Sequence, residues 1–240
     1  MVLIPYQTNS STFTTTYMFI KQFFPKVVET KQSPINGEIT VYKMLKNYSI
    51  SVDNLTQSGG LVSSVWKKTT NYLDHHHFTS PPKKLLFLGL SAGASLPHIY
   101  AKWPKAKITG LEIDPIMIKL GEKYFGLKSY NQLKIEIQDA FEWLHDHRQA
   151  YDVVYVDMYI GRDVPFQATT RSFLQKIKFH LNENGVAVFN RLKLKNQSGS
   201  LKDFDKDLRY IFHDVRVIPT PVNRVFMARD LQSEKESQDN

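Results

Sequence analysis

Leu85-Leu86-Phe87-Leu88-Gly89-Leu90-Ser91-Ala92-Gly93-Ala94-Ser95 is an apolar run that breaks into small residues, and a helical pattern continues from Leu96 to about Lys102. Small residues between a buried strand and a helix N-terminus let the backbone approach a ligand. Such turns occur in many α/β proteins, so this one takes its meaning from the segments downstream of it. Short apolar runs recur at 107–113, 133–137, 151–157 and 185–190, separated by helical segments, which is the rhythm of a parallel sheet. Right-handed crossovers then place helices on both faces. The finish differs: the strand-like runs 215–218 and 224–228 are joined by a short turn at 219–223, and so tight a link forces antiparallel pairing.

Upstream, residues 26–30, 38–45 and 48–52 alternate like short strands, with Pro34, Asn36 and Gly37 as turn punctuation. They predict a small antiparallel module. Residues 61–73 carry Leu61, Val62, Val65, Trp66, Tyr72 and Leu73 at helical spacing and lead into a polar loop at 75–82. The expected organisation is a β module with a flexible start over 1–60, an α/β domain over 61–230 and a disordered polar tail over 231–240.

With no cysteine, the chain has no disulfide, thiol nucleophile or cysteine-ligated metal. The net charge of +8 is carried by lysines spread along the chain, which favours a solvated basic surface over a nucleic-acid partner. The apolar stretch 17–24 is cut by Lys21 and Gln22 and no cleavage site comes after it, so a soluble, cytoplasmic protein with no membrane partner is expected. His75, His76 and His77 read as a polar loop and no metal site is expected, because adjacent side chains rarely converge on one ion. Trp103 and Trp143 read as packing residues, Trp66 as a candidate cleft residue, and Arg191, Lys193 and Lys195 as a basic rim.

Strand ends carry the chemistry. The second strand of the α/β part ends in Glu112, which lies 23 residues after Gly89, where a carboxylate can accept bonds from both hydroxyls of a ribose. Asp114 before Pro115 has the form of a helix N-cap. The third strand leads into Asp139-Ala140 and the fourth ends in Asp157, and in open parallel sheets such groups converge outside the carboxyl ends of the strands. A rival reading takes Gly89-Leu90-Ser91-Ala92-Gly93 as a nucleophile elbow, with Ser91, Asp157 and His180 or His213 as a hydrolase triad. No glycine-rich oxyanion loop precedes that turn, and the hydrolase reading leaves Glu112 and Asp139 unexplained.

The run 108–115, the Asp139-Ala140 pair, the Asp157 strand end and the segment 51–57 together resemble the signature of spermidine synthases and spermidine-synthase-like class I methyltransferases. The resemblance spans about residues 26–228. It implies a Rossmann-like seven-stranded sheet with an antiparallel last strand, a homodimer, and S-adenosylmethionine or its decarboxylated form as cofactor. The implied cofactor-binding residues are Gln57, Gly89, Ser91, Gly93, Glu112, Ile113, Asp139, Ala140 and Asp157. Among them Glu112 would hold the ribose, Asp139 the adenine amino group and Gln57 the cofactor's far end, while Asp157 would face the sulfonium as the candidate catalytic residue.

The acceptor side departs from aminopropyltransferases. Their glycine turn usually includes an acid, whereas 90–94 here has none; the acid pair and tyrosine that usually come after the glutamine give way to Val62, Ser63 and Trp66. The strand end continues as Met158, Tyr159 and Ile160 without a second acid. A polyamine needs several carboxylates to offset its desolvation. Methyl transfer to an unidentified small-molecule acceptor is therefore preferred to aminopropyl transfer, with a non-catalytic nucleoside-binding scaffold as a third reading. Tyr159 and Asp163 are further loop candidates beside Asp157.

Overall fold

The computed structural model describes residues 24–53, 55–192, 198–220 and 223–230. The flexible start and the polar tail expected from the sequence lie outside them, as do Lys193 and Lys195. Two sheets organise the chain. The first is a meander of β1 (Lys26–Ser33), β2 (Gly37–Met44), β3 (Asn47–Val52) and β4 (Leu55–Ser58). Its inner face buries Ile39, Val41, Ile50 and Val52 against Ala92, Met117 and Leu120 of the larger part. The sequence reading missed β4, whose four residues are too few to show alternation.

The helix α1 (Gly60–His76) leads into β5 (Lys84–Leu88), α2 (Leu96–Lys102), β6 (Lys107–Glu112), α3 (Pro115–Tyr124), β7 (Leu133–Ile137), α4 (Ala140–Asp146) and β8 (Tyr151–Val156). The chain then runs through α5 (Arg171–Phe179), β9 (Leu181–Leu192), α6 (Ser198–Ile211), β10 (Asp214–Pro219) and β11 (Asn223–Arg229). The seven-stranded sheet has the order β10-β11-β9-β8-β5-β6-β7. β5 to β9 pair in parallel, and β11 is antiparallel to both its neighbours, as the tight final turn requires. The strand order reverses between β5 and β8, which leaves a crevice beyond their carboxyl ends.

Apolar residues cover both faces of this sheet, with Leu86, Val154, Val156 and Phe189 packing to one side and Leu85, Phe87, Val153 and Tyr155 to the other. Trp66, a candidate cleft residue, is 1% exposed and packs edge-on against Phe87 and Tyr155, with its indole turned toward Asp157. Trp103 and Trp143 are buried, and their indole N–H groups donate to Asp74 and Glu136. The histidine run is no loop: His75 and His76 close α1, and the His77 amide donates to the Leu73 carbonyl. Arg191, expected on a basic rim, is 4% exposed, donates to the Ala168 carbonyl and lies over the Phe204 ring. Among the described residues no helix is long and apolar enough to cross a membrane.

Candidate active site

The crevice is built by strand ends. At the end of β5, Gly89 has φ +85°, and a Cβ there would collide with the Asp157 carbonyl, so this crossing requires glycine. Ser91 also lies in the left-handed region at φ 53°, and its amide donates to Glu112 Oε2 at 2.7 Å. The other oxygen, Glu112 Oε1, accepts from the Asp114 amide at 2.9 Å. Glu112 is 7% exposed, and desolvation outweighs these bonds, pushing its carboxyl up to about 7.

Asp114 caps α3, accepting from the Ile116 amide at 2.9 Å as its place before Pro115 predicts. Its second oxygen takes bonds from Ser33 Oγ at 2.6 Å and Asn36 Nδ2 at 2.8 Å, which ties the β1–β2 turn to the crevice. Asp139 caps α4 through Oδ1, which accepts from the Phe141 amide at 2.6 Å and the Glu142 amide at 3.4 Å.

A narrow cleft is lined by Gln57, Gly89, Ser91, Glu112, Ile113, Asp139, Ala140 and Asp157, the residues nominated from the sequence except Gly93. Gly93 is not among the lining residues; its φ of +76° lies in the left-handed region that favours glycine, and a Cβ on it would also press on the Leu127 side chain. A second chamber of about 310 Å³ adjoins the cleft and shares Gln57, Asp157 and Tyr159 with it. Its remaining walls include Ser49, Leu55, Thr56, Val62, Asn190, Leu192 and Asn223. Among the described residues, Asp157 is its one lining carboxylate.

Asp157 keeps an accessible edge toward these spaces, yet desolvation dominates and pushes its carboxyl up to about 6. Opposing that rise are Asn190, whose Nδ2 donates to Asp157 Oδ1 at 2.8 Å, the Arg191 guanidinium, and the Trp66 indole. Tyr159 donates its hydroxyl to the Asn190 carbonyl at 3.2 Å and accepts from the Leu192 amide at 3.0 Å. Asp163 points to a different place, lining a groove with Phe166, Ser200 and Asp207.

The loop after Asp157 is fastened to the first sheet at Gly161, which has φ +60°. The Gly161 amide donates to Asn36 Oδ1 at 3.2 Å, and its carbonyl accepts from Gln57 Nε2 at 2.7 Å. Sequence reasoning gave Asn36 only a turn role and passed over Asn190 and Asn223. The signal available for the last two was a polar residue at the edge of an otherwise apolar strand.

The hydrolase triad does not assemble. The Ser91 hydroxyl meets Ser58 Oγ at 3.0 Å, His180 bonds the Gln149 and Leu144 carbonyls, and His213 bonds Asp230.

The family model described as the spermine/spermidine synthase domain matches residues 70–228. A probable polyamine aminopropyl transferase of Bifidobacterium longum is 29% identical over 149 residues, covering 60% of this chain and 33% of the relative. The Homo sapiens eEF1A lysine and N-terminal methyltransferase is 31% identical over 121 residues, covering 45% of this chain and 17% of the relative. Each match thus spans a third or less of these relatives' own length. A solved spermidine synthase in complex with the transition state analogue AdoDATO superposes with a TM-score of 0.67 at 19% identity, covering 85% of this chain and 73% of that one.

Proposed function

The chain belongs to the spermine/spermidine synthase domain family, and from that we propose that it is an S-adenosylmethionine-dependent transferase that moves a methyl group to an acceptor held beside Asp157. The observation that carries the choice of methyl transfer is the second chamber, lined among the described residues by the single carboxylate of Asp157, with the Arg191 guanidinium acting on it. A dication would find one partner charge there, already opposed by a fixed cation. Aminopropyl transfer from decarboxylated S-adenosylmethionine is the second reading, favoured by the similarity to the Bifidobacterium longum relative.

The cofactor fits the donor set. Glu112 accepts the Ser91 amide on one oxygen and the Asp114 amide on the other, and the two ribose hydroxyls supply the further donors its burial lacks. The Asp139 cap bonds both fall on Oδ1, which leaves Oδ2 for an exocyclic amine. The enclosed part of the cleft is a slit of about 70 Å³, so binding includes an opening of its rim. When bound, the cofactor supplies an activated carbon on sulfur. The chain's own task is to align the acceptor and take its proton, and Asp157, common to both spaces, is the group placed to do so. The homodimer belongs to the same proposal, supported by the edge strand β1, which exposes Val27 and Val28.

Two measurements test this. Hydroxyls that donate to Glu112 favour its ionised form, so binding releases protons. S-adenosylmethionine affinity is expected to rise with pH by roughly tenfold per unit below about 7 and to level off above it. Calorimetry between pH 5.5 and 8.5 reads this directly, and a flat profile removes Glu112 from the ribose. For the transferred group, acceptor panels offered both cofactors and read by mass spectrometry should yield products heavier by one methyl; aminopropylated diamines would establish the second reading instead.

A further inference from the structure

Behind Asp157 stands a chain of two amides, and we infer that Asn223, acting through Asn190, is a positioning residue that holds Asp157 in its proton-accepting state. The Asn223 Nδ2 donates to Asn190 Oδ1 at 2.6 Å, and the Asn190 Nδ2 donates to Asp157 Oδ1 at 2.8 Å. A side-chain amide has one donor end and one acceptor end, so the first bond decides the second. With its oxygen engaged by Asn223, Asn190 turns N–H groups toward the carboxylate, which favours the anion. The reversed amide would present an oxygen and favour the protonated acid.

Both asparagines are buried, 3% and 4% exposed, so each bond lies in a low-dielectric setting that strengthens it. The main chain of Asn223 is fixed by the last hairpin: its backbone amide donates to Thr220 Oγ1 at 3.1 Å, and its backbone carbonyl accepts from that hydroxyl at 2.6 Å. The turn between β10 and β11 thereby fixes the backbone from which the Asn223 side chain reaches the Asn190 amide on β9, and through it the acid at the end of β8.

Other groups face Asp157. From β9 comes the Arg191 guanidinium, from its own loop the Tyr159 hydroxyl, and from α1 the Trp66 indole, while Gly89 after β5 brings only backbone. Arg191 is held by the Asn190 and Ala168 carbonyls and the Phe204 ring, so its charge is a constant background to changes at Asn223.

This inference rests on Asp157 as the proton acceptor, and the test separates the two. The carboxyl carbon of Asp157 is titrated by carbon-13 NMR in the full chain, its signal assigned by its loss in Asp157→Asn. In Asn223→Asp the new carboxylate repels Asn190 Oδ1 and reverses the amide, so the Asp157 midpoint is expected to rise by about one unit, a tenfold drop in the ratio of ionised to protonated acid at a given pH. Asn190→Leu is expected to raise it similarly, and the double variant no further than Asn190→Leu alone. An unmoved midpoint in Asn223→Asp, or a shift that adds in full to that of Asn190→Leu, overturns the relay. If Asn223→Asp does not fold, Asn223→Leu decides: a rise of about half a unit, absent in the Asn190→Leu background, is expected, and no rise overturns it. Failure of the base assignment shows separately, as full turnover in Asp157→Asn.

Discussion

Replacing Glu112 with alanine is expected to lower S-adenosylmethionine affinity by about a hundredfold or more. Hydrogen bonds to a charged acceptor are worth about 1.5–3 kcal/mol each, and two ribose hydroxyls lose theirs together. The same change removes the acceptor of the Ser91 and Asp114 amides, so a lower melting temperature is expected alongside. Calorimetry on folded protein separates the two effects. The pH dependence of any remaining affinity should vanish, because the group that titrates near 7 is gone. Binding within threefold of the unsubstituted chain would place the ribose elsewhere.

Asp157→Asn is expected to act on turnover, with a loss of roughly 10²- to 10⁴-fold and a cofactor affinity changed only a few-fold. Asparagine keeps an oxygen for the Asn190 donor and loses only the capacity to take a proton. In the unsubstituted chain, kcat/KM should climb with pH through about 6, the value to which burial pushes this carboxyl. The variant should lack that limb. Equal rates in both would leave Asp157 as a structural acid and remove it as the proton acceptor.

Much of the fold was legible because buried parallel strands write themselves as short apolar runs, and the final hairpin as two runs too close for a crossover. β6 and β7 fall within a residue of their expected bounds for that reason. β9 extends well beyond the expected 185–190, since Leu181 to Gly185 carries polar residues at the strand's open end. The acids of the site could be read from position alone, because topology brings strand ends to one crevice.

Side-chain partners could not be read that way. Asn190 and Asn223 lie 33 residues apart and meet only through the antiparallel register of β9 and β11. Arg191 looked like a surface cation because it opens a basic run, yet β9 is covered on both faces and the guanidinium lies over the Phe204 ring. Gly93 matched the expected glycine turn and has the left-handed φ such a turn needs, but the cleft itself does not reach it.

The two bonds at Gly161 make the α/β part dependent on its smaller neighbour. A fragment cut to begin at residue 60 would keep all seven strands of the large sheet but neither Asn36 nor Gln57. Such a truncation, or a chimera carrying a foreign first sheet, would inherit the crevice with its border unfastened. Any exchange of modules therefore has to carry those two side chains along with the backbone that presents them.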